Sequence, residues 1–228
     1  MKIELNAMKK LDSNTTKIGF LFDLDGVLID SESEYSRIWA TVNREYPTGV
    51  DNLEARIKGC TLDKILDDYY PSSELRDKVV CRLYELEGKM SYTYLPGAKE
   101  LLEKLRQNDI PAVMVTSSNN DKMRHLDEEL PDIKGFFQNI VTADMITKSK
   151  PDPEGYIKGA ALIDRDIRKC VVIEDSLQGV KAGQTSGAYV IGVVGTLPRK
   201  ILAPYCDLLV DSLQEVDIDS IKKVLDAR

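Results

Sequence analysis

The sequence predicts an α/β fold in which a parallel sheet core is interrupted by one helical insert. Short apolar runs alternate with helical periodicity over residues 96–228, a further apolar run covers residues 18–22, and residues 31–95 show helical periodicity alone. Strands that alternate with helices pair in parallel, with right-handed crossovers and helices on both faces of the sheet. The expected architecture is a Rossmann-like core of residues 1–30 and 96–228 with an inserted α-helical cap domain of residues 31–95.

The first predicted strand is the apolar run that ends at Asp23, and helical periodicity begins after Asp30. Ser31 and Glu34 have the spacing of a capping box, which predicts that Ser31 caps the first helix of the insert. The prolines and glycines of the insert divide it into further helices. These predicted helices cover residues 51–57, 61–70 and 73–89.

The remaining elements follow in alternation, as a parallel sheet requires. Apolar runs predict strands at residues 111–116, 139–142, 170–173, 188–194 and 207–210. Helices are predicted around Leu101–Leu105, up to Leu130, through Leu162, over 176–184 and over 219–227. A short apolar run that stops at polar residues is typical of a strand buried on both faces.

Composition excludes several classes of protein. Of the 228 residues, 43% are apolar and 30% are charged, which is typical of a globular protein. The net charge of −7 disfavours a nucleic acid or an anionic membrane surface as partner. Four cysteines without a Cys-x-x-Cys pair, together with the lack of an export signal, predict a cytoplasmic location. A monomer is the default expectation.

The single histidine, His125, lies in a strongly polar segment. We expect it to be a solvent-exposed helix residue and not a catalytic base. Histidine triads and multi-histidine zinc sites are therefore disfavoured.

Polar residues follow three of the predicted strands: Asp23 and Asp25, then residues 116–118, then Glu174 and Asp175. Ligands of an open parallel sheet bind at the carboxyl ends of its strands, so these groups are expected to meet. Crowded carboxylates predict a hard cation such as Mg²⁺. The hydroxyl-bearing segment predicts donors for an oxyanion.

Lys150, which begins the helix before the third of these strands, could face the same anion from a stiff turn beside Pro151. Each of these features also has a purely structural explanation that requires no ligand. Helix capping could account for residues 116–118 and for the acidic pair at 174–175, and a solvated surface position could account for Lys150.

Four segments in chain order resemble the motifs of the haloacid dehalogenase superfamily: residues 22–27 (FDLDGV), 115–118 (VTSS), 149–153 (SKPDP) and 172–176 (VIEDS). The most similar branch is the β-phosphoglucomutase-like one, whose helical cap follows the first motif. The resemblance implies a Mg²⁺-dependent enzyme that acts on a small phosphorylated metabolite.

By this resemblance Asp23 is the nucleophile that becomes an aspartyl-phosphate. Asp25 is then the acid that protonates the leaving alkoxide and the base that later activates water. An unperturbed aspartate has a pKa of ~3.9, so we expect Asp23 to be ionised at neutral pH and to attack without an activating base.

The resemblance also implies the binding residues. Thr116, the Ser117 backbone N–H and Lys150 hold the transferring phosphoryl group. The implied magnesium ligands are Asp23, Asp25 through its backbone carbonyl, Asp175 and, as a further ligand, Glu174.

Positions at which this chain differs from particular branches of the superfamily indicate which reaction to expect. Asp25 indicates phosphorus chemistry, since a dehalogenase has no leaving oxygen to protonate. Leu62 lies three positions after Gly59, where the phosphonatases have a cap lysine, which disfavours that branch, although Lys58 and Lys64 keep it open.

The mutases have a histidine twelve residues after the nucleophile, where this chain has Tyr35, and a cap arginine where it has Leu62. We therefore expect simple hydrolysis of a small phosphomonoester such as a sugar or polyol phosphate. The alternatives are β-phosphoglucomutase-type phosphotransfer, an inorganic pyrophosphatase, and a catalytically silent module that binds a phosphorylated ligand.

Six side chains of the cap could face the cleft and select the substrate. They are Glu32, Tyr35, Trp39, Lys58, Thr61 and Lys64. Tyr35 and Trp39 also lie on the apolar stripe of their helix, which favours a place in the core of the cap.

Overall fold

The computed structural model describes residues 18–57 and 62–227, and of residue 63 only the backbone. Six parallel strands form one sheet in the order β3-β2-β1-β4-β5-β6. The strands are Gly19–Phe22 (β1), Ala112–Val115 (β2), Asn139–Val141 (β3), Cys170–Glu174 (β4), Tyr189–Val193 (β5) and Leu208–Val210 (β6). The predicted α/β, Rossmann-like fold is confirmed.

β1 lies at the centre of the sheet, because it pairs with β2 on one side and with β4 on the other. Leu21 is in register with Val113 of β2 and Val172 of β4. Its neighbours Phe20 and Phe22 point to the opposite face, where they join the larger hydrophobic cluster. Because both faces of β1 are covered, the strand is apolar at every position.

Ten α-helices are present in the described part of the chain. They are Ser31–Glu45 (α1), Leu53–Arg56 (α2), Leu62–Tyr69 (α3), Ser73–Glu87 (α4), Ala98–Gln107 (α5), Asn120–Glu129 (α6), Glu154–Leu162 (α7), Leu177–Ser186 (α8), Arg199–Leu202 (α9) and Ile218–Asp226 (α10). Short 3-10 helices cover Ile133–Phe136, Ala143–Met145, Ile167–Lys169, Ala203–Tyr205 and Leu213–Glu215. None of the described helices has both the length and the apolar character needed to cross a bilayer.

The chain leaves the sheet for α1 and returns after α4 along two adjacent connections. The Asp30 N–H donates to the Thr93 carbonyl at 3.0 Å, and the Leu95 N–H donates to the Leu28 carbonyl at 2.9 Å. Helix α1 packs against α2 and α4. These paired connections support the proposed division into a core of 1–30 and 96–228 and a cap of 31–95.

The first helix is capped differently from the sequence prediction. Asp30, not Ser31, is the N-cap residue, and its carboxylate accepts the Ser33 N–H at 3.1 Å. The Ser31–Glu34 capping box is therefore wrong by one residue. Both aspartate and serine are good N-caps, so the spacing to Glu34 alone does not decide between them.

Candidate active site

Asp23 follows β1 directly, and its N–H donates to the Ile173 carbonyl of β4 at 3.0 Å. This backbone bond holds the Asp23 side chain, which is buried, against the end of β4. The turn after Asp25 contains Gly26 at φ +74°, where a Cβ would lie 2.0 Å from Asp175 Oδ2. A glycine is thus required for the loop to approach that carboxylate.

Lys150 reaches the same edge of the sheet from the turn before α7. Its ammonium contacts Asp23 Oδ1, lies 2.6 Å from Glu174 Oε1 and donates to the Val115 carbonyl at 3.2 Å. Only 11% of the Lys150 side chain is exposed, which excludes the solvated surface position considered above. The lysine links the ends of β1, β2 and β4.

Glu174 is fully buried, and both of its carboxylate oxygens accept hydrogen bonds. Besides Lys150, Oε1 accepts from the Tyr156 hydroxyl at 2.8 Å. Oε2 accepts from the N–H groups of Asp175 and Ser176 and from the Ser176 hydroxyl, at 2.9 to 3.1 Å. The last residue of β4 is therefore held rigidly beneath Lys150.

Asp175 completes an acidic group with Asp23 and Glu174. Each of the three offers a carboxylate oxygen that lies within 4.8 Å of the others, the spacing of a shared cation site. Asp175 Oδ2 accepts a hydrogen bond from the Thr196 hydroxyl, and Asp23 Oδ1 contacts Lys150. The hydrogen bonds between described residues leave Asp23 Oδ2 and Asp175 Oδ1 without a donor from another residue.

The protonation of these groups reflects burial and crowding. Burial raises the pKa of Asp23 to about 7, with Glu174 and Asp25 adding to the shift and Lys150 opposing it. Burial, with Glu174 and Asp23 nearby, raises the pKa of Asp175 to about 8. The expectation that Asp23 behaves as an unperturbed aspartate neglects this desolvation, which opposes ionisation of the buried carboxyl unless a cation offsets it.

The buried lysine and glutamate behave as an ion pair. Burial disfavours both charges, but mutual attraction and hydrogen bonding outweigh it. The Lys150 pKa lies well above its ordinary value, and the Glu174 pKa lies below its own. The three buried carboxylates thus share one lysine, which pairs with Asp23 and Glu174, and their remaining negative charge fits a divalent cation.

The Asp25 carboxylate contacts a different lysine and a serine hydroxyl. Lys122 Nζ contacts both carboxylate oxygens of Asp25, at 2.7 and 2.8 Å, and the Ser118 hydroxyl donates to Oδ2 at 3.2 Å. Lys122 was not predicted from the sequence, because it lies in a polar helix with no motif to mark it. Asp23 and Asp25, which follow the same strand, therefore contact two different lysines.

Thr116 and Ser117 follow β2 at the same edge. Thr116 is buried, its N–H donates to the Val141 carbonyl at 2.9 Å, and its hydroxyl accepts the Ser118 N–H at 3.0 Å. Ser117 is exposed in the turn. The capping alternative does not hold for residues 116–118, because Asn119 is the N-cap of α6.

The capping alternative does not hold for the acidic pair either. Ser176 is the N-cap of α8, and its hydroxyl accepts the Gly179 N–H at 3.0 Å. Gly179 provides room for Glu174, since a Cβ there would lie 1.7 Å from Glu174 Oε1.

His125 is not a solvent-exposed helix residue. Its Nε2 lies 2.8 Å from the Met90 carbonyl oxygen, and its ring packs edge-on against Tyr92 with centroids 5.5 Å apart. It joins α6 to the segment that returns from the insert. The local polarity of its sequence conceals this contact, which depends on tertiary packing.

The other candidate side chains of the insert differ in environment. Trp39 is buried in the hydrophobic core, as its place on the apolar stripe predicts, and Tyr35 is half-buried beside it. Glu32 is half-buried, and Lys64 is exposed and pairs with Asp68 at 2.9 Å. The remaining two candidates, at positions 58 and 61, lie outside the described residues.

The parallel sheet, with carboxylates and a lysine at one edge, is that of a Rossmann-like hydrolase with a helical insert. A family model described as haloacid dehalogenase-like hydrolase matches residues 20–193, and the chain belongs to this family. The resemblance inferred from the four motifs is confirmed.

Three similar proteins illustrate the range of the family. Hexitol phosphatase A of Escherichia coli is 32% identical, over 88% of this chain and 93% of that protein. Validoxylamine A 7′-phosphate phosphatase of Streptomyces hygroscopicus is 30% identical, over 86% of this chain and 94% of that protein. The crystal structure of a β-phosphoglucomutase from Clostridium difficile superposes with a TM-score of 0.69 at 23% identity, over 92% of this chain and 97% of that one.

Proposed function

We propose that this phosphoric monoester hydrolase uses Mg²⁺ to hydrolyse a small sugar or polyol phosphate through an aspartyl-phosphate on Asp23. The observation that carries the proposal is the meeting of Asp23, Lys150 and Asp175 at one edge of the sheet, within reach of a single ion and phosphoryl group. The named phosphatase relatives, which act on a hexitol phosphate and on validoxylamine A 7′-phosphate, support the substrate class.

The metal would be held by Asp23 and Asp175, which each have a carboxylate oxygen without a described donor from another residue, and by the Asp25 backbone carbonyl. When bound, Mg²⁺ supplies positive charge that offsets the charge on the phosphoryl oxygens. Glu174 is the fourth acidic candidate. Since hydrogen bonds already engage both of its oxygens, we assign it the positioning of Lys150 in preference to direct ligation.

In the first step a carboxylate oxygen of Asp23 attacks phosphorus, and the bond from phosphorus to the substrate oxygen breaks. Asp25 gives its proton to the departing alkoxide. Lys150, the Thr116 hydroxyl and the Ser117 N–H bind the phosphoryl oxygens and hold the group in line between nucleophile and leaving group.

In the second step water attacks the phosphorus of the aspartyl-phosphate. Asp25, now ionised, accepts the water proton, and the phosphorus–oxygen bond to Asp23 breaks to release inorganic phosphate and the free carboxylate. The helices of the insert would exclude bulk water from the site while the leaving group is bound.

Hydrolysis is favoured over transfer to a second hydroxyl by two residues of the insert. Tyr35 stands where the mutases have a histidine, and Leu62 stands where they have an arginine that grips a second phosphate. Neither side chain can bind a second phosphate through a positive charge. A bisphosphate intermediate would therefore have little to retain it for a second transfer.

A screen of phosphorylated sugars and polyols with Mg²⁺ tests the proposal, with inorganic phosphate as readout. We expect phosphate release from at least one hexitol or sugar phosphate, and a loss of about 10³-fold or more in Asp23→Asn, which keeps the shape of the side chain but cannot attack. Efficient isomerisation of β-glucose 1-phosphate with little phosphate released would establish the mutase alternative. No Mg²⁺-dependent turnover across the panel would favour a binding module.

A further inference from the structure

Lys122 is a charged residue of the site for which neither the motifs nor the proposed reaction gives a role. Its ammonium contacts both oxygens of Asp25, at 2.7 and 2.8 Å. A carboxylate held at both oxygens cannot rotate freely about its bond to Cβ. The Ser118 hydroxyl, at 3.2 Å, adds a third contact to the same group.

The position of Lys122 on its helix is electrostatically unfavourable. It lies in the first turn of α6, where its N–H donates to the N-cap side chain of Asn119 at 3.0 Å. The positive end of the helix dipole disfavours a cation there. A lysine side chain in this turn leans back toward the N-terminus, which directs its ammonium to Asp25. The Asp25 carboxylate compensates for the unfavourable placement.

Residues of the helical insert confine the same ammonium from the other side. It lies 5.6 Å from the ring centroid of Tyr35 in α1, and its charge acts on the half-buried Glu87 at the end of α4. Burial, together with the nearby Glu87 carboxylate, raises the pKa of Tyr35. Only 18% of the Lys122 side chain is exposed. The insert thus forms one wall of the Lys122 site.

We propose that Lys122 is a positioning residue that holds the Asp25 carboxylate in the orientation needed at the leaving-group oxygen. Tyr35 and Glu87 keep the ammonium in place, so that the orientation of Asp25 depends on the packing of the insert against the sheet. Lys122, Tyr35 and Glu87 also line a cleft of about 440 Å³, and the Lys122 ammonium connects this cleft with Asp25. The proposal rests on the proposed function, in which Asp25 is the proton donor.

The test compares two substrates that differ in their need for a proton. A hexitol phosphate releases a strongly basic alkoxide, whereas p-nitrophenyl phosphate releases a stable phenolate that leaves without protonation. The ratio kcat/KM reports the steps up to leaving-group departure. We expect Lys122→Met to lower kcat/KM for the hexitol phosphate by about 10- to 100-fold and for p-nitrophenyl phosphate by less than about 3-fold. The loss should lie in kcat and not in KM.

Two further variants distinguish a loss of Asp25 positioning from a general loss of structure or activity. Lys122→Arg, which can still bridge both oxygens, should recover most of the hexitol phosphate activity. Lys134→Met is the matched control, because Lys134 pairs with Asp127 at 3.1 Å on the surface near α6. It should leave both substrates unaffected. A double-mutant cycle should show that Lys122→Met adds no further loss once Asp25 is replaced by Asn.

Equal losses on both substrates, a change in KM alone, or additive losses in the cycle would overturn the role of Lys122. The Asp25→Asn variant tests the proposed function independently. If it discriminates between the two substrates and Lys122→Met does not, only the positioning role fails. If Asp25→Asn itself does not discriminate, Asp25 is not the proton donor and both proposals fail.

Discussion

Lys150 Nζ lies 2.6 Å from Glu174 Oε1, and the same ammonium contacts Asp23, so that one lysine bridges the ends of two neighbouring strands. The pair is buried, with 11% of the lysine side chain and none of the glutamate side chain exposed. Buried charges are tolerated when they are paired and hydrogen-bonded. Stability and the geometry of the site therefore depend on the same contact.

Replacement of Lys150 by Met should destabilise the protein as well as inactivate it. The buried carboxylates of Asp23 and Glu174 would lose their counter-ion, which we expect to lower the free energy of unfolding by about 3 kcal/mol. Urea denaturation without Mg²⁺ measures this. Lys148→Met is the control, since Lys148 is 71% exposed and its pair with Asp152 spans 3.7 Å. Equal stability of the two variants would contradict the prediction.

Replacement of Gly179 by Ala should displace Glu174. The added methyl would lie 1.7 Å from Glu174 Oε1, so that the carboxylate must move from Lys150. We expect a loss of about 1–3 kcal/mol in unfolding free energy, together with reduced phosphatase activity. Gly135→Ala, where no atom lies within 4 Å of the added carbon, should change stability by less than about 0.5 kcal/mol. Denaturation and phosphate release distinguish the two, and a fully active Gly179→Ala variant would be inconsistent with this steric argument.

Two buried tyrosines allow a matched test of hydrogen bonding. The Tyr156 hydroxyl donates to Glu174 at 2.8 Å, whereas the Tyr70 hydroxyl is buried without a hydrogen-bond partner among the described residues. Tyr156→Phe should lower the free energy of unfolding by about 1–2 kcal/mol, and Tyr70→Phe should be neutral or stabilising. Thermal and urea denaturation give both values. The reverse order of stabilities would contradict the assignment of the Glu174 network.

The effect of Mg²⁺ on stability should increase with pH. The unfolded carboxyls of Asp23 and Asp175 ionise near pH 3.8, but in the native state burial raises their pKa values to about 7 and about 8. Between these limits the native protein binds more protons than the unfolded chain, so the contribution of both groups to stability falls as pH rises from about 4 to about 8.

A divalent cation must displace those protons, and the protons compete with it less strongly at high pH. We therefore expect Mg²⁺ to raise the Tm more at about pH 8 than at about pH 5.5. Differential scanning calorimetry with and without Mg²⁺ provides the comparison. In Asp175→Asn the metal-dependent increase should be largely lost. A Mg²⁺ effect that is independent of pH, or equal in the variant, would argue against a cation at this site.

The parts of the structure that depend on local pattern were predictable. The strand that ends at Asp23 and the strand that ends at Glu174 are marked by continuous apolar runs, which record burial on both faces of the sheet. Lys150 could be placed near them because its turn precedes the helix that leads into β4. The meeting of these three residues follows from parallel pairing, which brings strand ends to one edge.

The supporting residues could not be predicted, because their roles depend on packing between distant elements. Lys122 lies 97 residues from Asp25 in sequence, and no periodicity in α6 marks it. Tyr156 and Thr196 are ordinary helix and loop residues whose hydroxyls become important only through Glu174 and Asp175. The raised Asp23 pKa likewise arises from desolvation, which is a property of the folded state alone.

The central place of β1 in the sheet has a consequence for synthesis of the protein. Asp23 leaves the ribosome early, but its partners Lys150 and Asp175 follow 127 and 152 (175 − 23) residues later. Contacts of such long sequence separation form late in folding. A nascent chain that has not yet emerged beyond β4 carries the proposed nucleophile without Asp175, so we expect catalysis only when about three quarters of the polypeptide is available to fold.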